Sequence, residues 1–319
     1  MADDPTNATN PDKPPVLIIC GPTGIGKTTA AIAAAGAFGG EIISADSMQV
    51  YRFMDIGTAK PTARERDRAP HHLIDVVEPD EDFDAARFSQ AARDIAADIG
   101  RRGAVPIVAG GTGLYIKALL HGLFRAERPD PQTRRLLREE AAESGSEALH
   151  RQLAAIDAAA ADRIHPNDTF RIIRALETAA ATGEAITDHH RRHGFRESAF
   201  RTLKIGLDMD RKDLYERIDR RVEAMLAAGL LNEVRGLLAR GYADGLKSMQ
   251  SLGYRHMVDF ITGRLSWDEA VRTMKRDTRR FAKRQLTWFR ADKDIVWRAP
   301  QDITTLFPQI DAFLRGIVR

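Results

Sequence analysis

The sequence has little of what marks secreted, membrane-spanning or zinc-binding proteins. It contains one cysteine, Cys20, which excludes an internal disulfide and a zinc site built from several cysteines. No apolar run approaches the roughly 18 residues that a membrane-spanning helix needs. The N-terminus is polar and acidic, whereas a secretory signal would be basic and then apolar. We therefore expect a cytoplasmic protein that does not contact a membrane.

Charge of one sign is also scarce. The net charge is only +3 over 319 residues, so the overall charge does not by itself indicate nucleic-acid binding. The composition is that of an ordinary globular protein, with 43% hydrophobic and 29% charged residues, and the length allows one large domain or two. Residues 1–14 contain three prolines and almost nothing apolar, and we expect them to form a disordered leader.

Apolar runs and helical patterns alternate along most of the chain. Short continuous apolar runs predict strands at Val16–Cys20, Glu41–Ala45, Val105–Ala109 and Leu203–Leu207. Helical patterns between them cover Lys27–Phe38, Ala85–Ile99 and Gly113–His121. Strands that alternate with helices predict an α/β fold with a mainly parallel sheet flanked by helices.

This alternation stops between residues 123 and 200, where only helical patterns occur. They cover Gln132–Glu143, Ser146–Ala159 and Pro166–Thr182. We therefore predict a helical insertion domain at 123–200 within an α/β core that comprises 15–122 and 201–319. Further helices are predicted in the second half of the core at Lys212–Ala228, Leu231–Arg240 and Trp267–Arg290. Residues 272–290 carry eight Lys and Arg against one acid, Asp277, which is the most uneven charge in the chain.

A phosphate-binding loop follows the first strand. Residues 21–28 read GPTGIGKT and fit the pattern G-x-x-x-x-G-K-[ST] between a buried strand and a helix. Glycines allow successive backbone N–H groups to curl around a phosphate, and the lysine neutralises its oxygens. An ordinary glycine-rich turn is the alternative. The residues predicted to bind a diphosphate or a triphosphate are Gly21, Pro22, Thr23, Gly24, Ile25, Gly26, Lys27 and Thr28, with the Thr28 hydroxyl also a ligand of Mg²⁺.

The acid that would complete a nucleotide hydrolase is not evident. Such an enzyme normally has an acidic residue at a second strand end and a group that orients water. Asp75 lies inside the run Leu73–Val77, and no glutamate follows it. Asp46 instead closes the run EIISAD, and ligands of parallel sheets gather at the carboxyl ends of strands. Asp46 is therefore predicted to lie near the phosphate loop, with a turn or cap role as the alternative.

Several longer segments carry a family resemblance. In chain order they read GPTGIGKT, ADSMQVY (45–51), MDIGTAKP (54–61), HHLID (71–75), AGGTGLY (109–115), HPNDTFRIIRALE (165–177) and AKRQLTWFR (282–290). Together they resemble the tRNA dimethylallyltransferases, also called tRNA isopentenyltransferases, in their bacterial form. The resemblance runs from Gly21 to Arg290 and implies a P-loop NTPase-like parallel sheet with a helical insertion domain.

The resemblance also implies a reaction. The family transfers a dimethylallyl group from dimethylallyl diphosphate to the exocyclic N6 amine of the adenosine immediately 3′ of the anticodon, with Mg²⁺. The expected partner is the anticodon stem-loop of tRNA, and the expected state is a monomer. By this resemblance Asp46 is the general base, Thr112 contacts the substrate, and Arg217 reaches the diphosphate. Thr112 has a helix N-cap as its alternative role, and Arg217 a solvated helix face.

RNA contacts are implied by the same motifs. They are Asp46, Ser47, Met48, Gln49, Phe170, Arg171, Arg174, Gly253, Tyr254, Arg255, Arg280, Lys283, Arg284 and Gln285. Arg279 is expected to lie along the RNA backbone with its three basic neighbours. A basic helix with interleaved aromatic residues suits phosphate neutralisation and stacking on unpaired bases. The alternative is an amphipathic helix whose aromatic residues lie in the core, and Trp288 is the residue that we most expect there.

Two segments differ from the usual family pattern. Gly24 and Ile25 stand where the family usually has Ala-Ser, and His256 stands where a glutamate often follows Gly-Tyr-Lys. Two other functions remain possible from the sequence. One is a P-loop kinase of a small alcohol or nucleoside that uses Asp46 as its base. The other is a nucleotide-gated RNA-binding protein without catalytic activity.

Overall fold

The computed structural model describes residues 13–123, 130–193 and 198–317, which form two compact units. The first unit contains the chain up to Leu120 and from Ser198 onwards, and the second contains the segment between them. The predicted leader, residues 1–14, lies outside the described residues except for positions 13 and 14. Within the described ranges, no helix combines the length and apolarity needed to cross a membrane.

The first unit is built on a parallel sheet. In the described residues it has six strands in the order β3-β2-β4-β1-β5-β6. Their bounds are β1 Pro15–Cys20, β2 Gly40–Ser44, β3 His71–His72, β4 Val105–Gly110, β5 Arg201–Leu207 and β6 Ile295–Arg298. Strand β1 lies between β4 and β5, with Leu17 opposite both Ile107 and Leu203. This arrangement confirms the predicted α/β fold with a parallel sheet flanked by helices.

Helices of the first unit cover the sheet. They are α1 Lys27–Phe38, α2 Ala63–Arg66, α3 Ala85–Arg101, α4 Gly113–His121, α10 Arg211–Ala227, α11 Leu230–Ala239, α12 Tyr254–Ile261, α13 Trp267–Arg290 and α14 Phe307–Leu314, with a 3₁₀ helix at Pro300–Leu306. Alanines of α1 allow that helix to pack closely on the central strands, and Leu214 and Ile218 of α10 join the same buried cluster. The sheet thereby positions the loops that follow β1, β2 and β4.

The second unit is helical. Its helices are α5 Pro131–Ser144, α6 Ser146–Ile156, α7 Ala158–Arg163, α8 Thr169–Thr182 and α9 Ile186–His193. Leu149, Leu153, Ile172 and Leu176 form its apolar core. Beside that core, the guanidinium of Arg134 forms a bidentate pair with the buried carboxylate of Glu177.

The helix predicted at Ser146–Ala159 is interrupted. Asp157 is buried in an extended conformation between α6 and α7, and its carboxylate accepts hydrogen bonds from the Ala160 N–H (2.9 Å) and the Thr187 N–H (2.9 Å). A short acidic side chain that caps the next helix competes with the helical backbone. The start predicted at Pro166 was also too early, because Asp168 caps α8 through the Arg171 N–H.

The sequence patterns missed both edge strands of the sheet. Strand β3 consists of His71 and His72 alone, and β6 mixes Trp297 and Arg298 with two aliphatic residues. Neither segment is a continuous apolar run, because an edge strand is paired on one side only and less enclosed than the central strands. Such strands can be identified only from the neighbouring strand to which they pair, which the local sequence does not reveal.

Candidate active site

The phosphate loop joins β1 to α1 in a conformation that requires glycine. Gly24 (φ 80°) and Gly26 (φ 103°) occupy the left-handed region, where a side chain would be strained. At Gly21 a Cβ atom would lie 2.8 Å from the carbonyl oxygen of Leu207, so the β5 backbone leaves no room for one. The ammonium of Lys27 donates a hydrogen bond to the Pro22 carbonyl (2.8 Å) and thus lies folded over the loop.

A cavity of about 570 Å³ opens beside this loop, and we call it the cationic cavity. It is lined by Gly24, Gly26, Thr28, Thr29, Ala59, Lys60, Pro61, Thr62, Glu65, Arg217, Arg220 and Arg221. Arg217 extends to within 3.6 Å of the point where a Gly26 Cβ would lie. The three arginines come from two successive turns of α10, a spacing that directs them to one face. Such a surface suits a multiply charged anion.

A second cavity, of about 340 Å³, contains Asp46, and we call it the Asp46 cavity. Its lining includes Thr23, Asp46, Ser47, Met48, Thr112, Arg221, Val222, Met225, Gln250, Ser251, Leu252, Gly253, Tyr254, Arg255, Met274, Thr278, Phe281 and Arg284. Arg221 lines both cavities, so they adjoin at this side chain. Its apolar walls, which include Met225, Met274 and Phe281, distinguish the Asp46 cavity from the cationic cavity.

The loops that follow β2 and β4 are tied together next to Asp46. The Ser47 N–H donates to the Thr112 hydroxyl oxygen (3.1 Å), and the Thr112 N–H donates to the Ala45 carbonyl (3.1 Å). Thr112 also acts as a backbone cap of α4, since its carbonyl accepts from the N–H groups of Tyr115 and Ile116. The Thr112 hydroxyl faces the loop that carries Asp46, and its contact with the substrate stays a prediction.

One oxygen of Asp46 is fixed by the backbone. Oδ1 accepts a hydrogen bond from the Met48 N–H (2.9 Å), while Oδ2 has no hydrogen bond to any described part of the protein. The side chain of Gln49 is hydrogen-bonded within the protein. Its Oε1 accepts from the Ser44 hydroxyl (2.9 Å), and its amide nitrogen donates to the carbonyls of Thr58 and Ala59. The Gln49 side chain therefore braces its loop, and the prediction that it contacts tRNA has no support from this arrangement.

The charges around Asp46 are unbalanced. Burial lowers the pKa of Lys27 to about 8, the carboxylate of Asp46 opposes this shift, and the nearby Arg221 adds to it. Burial also lowers the pKa of Arg221, again opposed by Asp46. Arg221 forms no hydrogen bond or ion pair within the described residues. Two crowded cations share one carboxylate, so a bound anion would relieve their repulsion.

Helix α13 contacts two loops of the site. Gln285 is buried, and its amide nitrogen donates to the Gly111 carbonyl (2.9 Å) while its Oε1 accepts from the Thr23 N–H (2.8 Å). Both ends of the amide are engaged by protein, which leaves no support for the predicted tRNA contact of Gln285. The expectation that Trp288 lies in the core is also wrong, because Trp288 is 44% exposed and Phe289 is the buried residue.

The basic residues of α13 fall into two groups. Lys275 pairs with Glu223 (2.6 Å), and Arg279 pairs with Asp219 (2.7 Å), both on α10. The prediction that Arg279 lies along RNA is therefore not supported, since its charge is neutralised within the protein. Lys283 and Arg284 are exposed and form no ion pair in the described chain, and Arg284 lines the Asp46 cavity. Arg280 has only a long contact with Asp277 (3.8 Å).

Tyr254 supports a loop instead of presenting its ring to solvent. It is fully buried, and its hydroxyl donates to Glu233 (2.6 Å). The same carboxylate accepts the backbone N–H groups of 55, 56 and 57, which belong to the segment beside the cationic cavity. The Tyr254 hydroxyl is thus engaged by protein, and its predicted contact with tRNA stays a prediction. His256 is buried beside Asp277 as well, whereas Arg255 is 40% exposed and pairs with Asp277 (2.6 Å).

Similarity to known proteins supports one family. The family model described as IPP transferase matches residues 49–292, and a second, isopentenyl transferase, matches residues 14–74. A tRNA dimethylallyltransferase of Desulfosudis oleivorans is 57% identical over 90% of this chain and 91% of its own length. One from Desulfatibacillum aliphaticivorans is 52% identical over 95% and 99%.

Solved structures agree. The crystal structure of a tRNA isopentenylpyrophosphate transferase from Bacillus halodurans superposes with a TM-score of 0.72, at 40% identity over 96% of this chain and 98% of the other. A eukaryotic dimethylallyltransferase described as acting on tRNA gives a TM-score of 0.77 at 28% identity, over 94% and 78%.

The chain belongs to the IPP transferase family.

The remaining predicted tRNA residues of this IPP transferase lie in the second unit. Phe170, at the start of α8, is 78% exposed. Arg171 pairs with Asp168 (3.4 Å) and Arg174 with Glu177 (3.6 Å), both within the same helix or its cap. An aromatic ring so exposed, next to two arginines, is consistent with a base-stacking role.

Arg221 and Gln285 show where the sequence patterns failed to give the role of a site residue. Arg221 lies one turn after Arg217, and the pattern alone could not separate the arginine that faces Asp46 from the one that faces only the cationic cavity. Gln285 was assigned to tRNA because its neighbours are basic. Its actual partners, Thr23 and Gly111, lie 262 and 174 residues away in the chain.

Proposed function

We propose that this IPP transferase transfers a dimethylallyl group from dimethylallyl diphosphate to the N6 amine of the adenosine 3′ of the anticodon in tRNA. One observation carries the proposal. The cationic cavity beside the phosphate loop and the Asp46 cavity adjoin at Arg221, so an anionic leaving group and a nucleophile have separate places with a shared boundary. The names of the relatives support the same reaction.

In this reaction the cationic cavity and the Asp46 cavity would have different roles. The bond between the allylic carbon and the diphosphate oxygen breaks, and the oxygen leaves with the electron pair. Lys27 and the arginines of α10 would stabilise the departing diphosphate, because charge develops there as the bond breaks. The amine nitrogen forms the new bond to carbon and loses one proton. Asp46 would accept that proton at Oδ2 and release it to water.

The acceptor base must leave its stack to reach Asp46. Extruding one base costs a few kcal/mol, which contacts in the pocket must offset. Met225, Met274 and Phe281 give the Asp46 cavity apolar walls against which a flat base can pack. Arg284, which lines this cavity, and its exposed neighbour Lys283 would contact the RNA backbone. In the second unit, the exposed ring of Phe170 would contact a base.

A magnesium ion is part of the proposal. The chemistry of the donor set fits: Thr28 supplies one hydroxyl at the cationic cavity, and Mg²⁺ is commonly held by one or two protein oxygens together with substrate phosphates and water. No cluster of three or more His, Cys, Asp or Glu is present in the described residues to form an all-protein cage. The ion would offset the charge of the diphosphate. The cytoplasmic location and the monomeric state stay predictions.

The test is incubation of the protein with an unmodified anticodon stem-loop RNA, Mg²⁺, and either prenyl-labelled dimethylallyl diphosphate or γ-labelled ATP. The proposal expects the prenyl label on the adenosine 3′ of the anticodon and no label from ATP. A stem-loop with guanosine at that position is the matched control and should stay unlabelled. Transfer of the ATP label to any acceptor, without prenyl transfer, would instead indicate a kinase.

A further inference from the structure

Gln285 of α13 bonds two loops of the site. Its amide nitrogen donates to the Gly111 carbonyl (2.9 Å), and its Oε1 accepts from the Thr23 N–H (2.8 Å). Thr23 belongs to the phosphate loop. Gly111 precedes Thr112, whose hydroxyl accepts the N–H of Ser47 next to Asp46. One amide therefore connects the loop that would hold the leaving group with the loop that holds the base.

The packing around this amide leaves little room for adjustment. A Cβ atom on Gly111 would lie 2.2 Å from the Gln285 amide nitrogen, and one on Gly113 would lie 2.1 Å from the indole nitrogen of Trp288. Helix α13 thus rests directly on the backbone of the turn between β4 and α4. Close packing of this kind transmits a displacement of the helix to the loop.

We propose that Gln285 is a positioning residue that sets the separation between the phosphate loop and the Thr112 turn, and that it does so from the helix whose exposed Lys283 and Arg284 face RNA. The amide contacts neither substrate. It acts through Thr23 and Gly111, so its loss moves the two reactants relative to each other. This inference rests on the proposed function only where prenyl transfer is measured, because binding of pyrophosphate and of RNA can be measured without it.

Only an amide satisfies both partners. Its nitrogen donates and its oxygen accepts, whereas methionine of similar length does neither. A glutamate keeps the acceptor for the Thr23 N–H but sets a second oxygen against the Gly111 carbonyl. Protonation of that carboxyl would restore a donor, and burial beside a carbonyl raises its pKa. We therefore expect low pH to restore the hydrogen bond to Gly111 in the Gln285→Glu variant, and with it part of the lost activity.

The experiment compares Gln285→Met and Gln285→Glu with wild type. Thr287→Ala is the matched control, because Thr287 lies on the same helix, is exposed, and donates only to the Lys283 carbonyl. Melting temperature, equilibrium binding of inorganic pyrophosphate, equilibrium binding of the stem-loop RNA, and single-turnover prenyl transfer at saturating RNA are measured for each.

For Gln285→Met we expect transfer to fall about 10- to 100-fold, because small displacements of reacting groups cost rate steeply. Pyrophosphate should bind a few-fold more weakly and RNA within about threefold of wild type. For Gln285→Glu, the transfer rate relative to wild type should rise as the pH falls from about 8 to about 6. Thr287→Ala should match wild type throughout.

Other results would overturn the proposal. If RNA affinity falls about tenfold while transfer at saturating RNA is unchanged, Gln285 contacts RNA directly. If the relative rate of Gln285→Glu is flat with pH, the bond to Gly111 does not set the geometry. Should Gln285→Met fail to fold, Gln285→Glu decides alone. If the wild-type protein transfers no prenyl group, the proposed function is wrong. If both variants bind pyrophosphate as tightly as wild type does, the positioning role is excluded, whatever the result of the transfer assay.

Discussion

The cationic cavity and the Asp46 cavity share Arg221 but differ in chemistry. The cationic cavity has three arginines and the glycine-rich loop on its walls. The Asp46 cavity has the Asp46 carboxylate, methionines and aromatic rings on its walls, with Arg221 beside Asp46 and Arg284 exposed. A surface of many donors fits a diphosphate, and an apolar pocket with one base fits a neutral heterocycle that must lose a proton. This difference assigns one substrate to each cavity. Substitutions in one cavity should therefore change the affinity for one substrate more than the affinity for the other.

The largest effect is expected from Asp46→Asn on the acceptor side. The amide keeps the shape and the Met48 contact but cannot take the proton, so single-turnover transfer should fall by about 10²–10⁴. Pyrophosphate and stem-loop RNA should bind within about threefold of wild type, because neither needs the base. A collapse of RNA binding would show that Asp46 positions the acceptor instead.

On the donor side, Lys27→Met should weaken pyrophosphate binding by about 10²-fold, because a charge-assisted contact is lost in a crowded site. The pKa of Lys27 is lowered to about 8, so its ammonium is charged below that pH and neutral above it. The wild-type advantage in affinity over Lys27→Met should therefore shrink as the pH rises through 8 to 9. Comparison of the two proteins cancels the titration of pyrophosphate itself. A constant advantage across this range would contradict the assignment.

Arg217 and Arg221 test the boundary between the cavities. Arg221→Gln should lower both pyrophosphate affinity and the transfer rate at saturation, each by about tenfold, because its guanidinium lies near Asp46 and lines both cavities. Arg217→Gln should affect mainly the affinity for the donor. Steady-state KM and kcat for both variants make the distinction. If Arg217→Gln lowers kcat more than Arg221→Gln, the shared residue has been misassigned.

The smallest effects are expected from the exposed basic residues of α13. Lys283→Ala and Arg284→Ala should weaken RNA binding a few-fold and flatten the slope of log affinity against log salt by about 0.7 to 0.9 each. Lys275→Ala, whose charge is already paired with Glu223, is the control from the same helix and should leave the slope unchanged. Binding titrations at several salt concentrations would measure this. Equal slopes in all three variants would remove this face of α13 from the RNA interface.

Features that depend on neighbours in sequence were predictable. The phosphate loop requires glycine backbone angles between a buried strand and a helix, and each requirement is visible within about a dozen residues. The central strands were predictable for the same reason, since burial on both faces produces continuous apolar runs. The helix break at Asp157 was not, because the carboxylate is held partly by Thr187, 30 residues away.

The site was predictable in kind but not in the role of each residue. Tyr254 and Gln285 lie within matched motifs, yet their partners are Glu233, Thr23 and Gly111, which no local pattern joins to them. The charge of α13 indicated RNA contact for the whole helix. Only the structure separates Arg279, which is paired with α10, from its exposed neighbours.

The central claim is that the phosphate loop holds a leaving group and that no phosphoryl group is transferred. Dimethylallyl diphosphate labelled with tritium in the prenyl chain and with ³²P in the diphosphate tests this in a single turnover with stem-loop RNA. The account predicts that tritium enters RNA on the adenosine 3′ of the anticodon while an equal amount of ³²P is released as free diphosphate. Incorporation of ³²P into RNA or protein would contradict it.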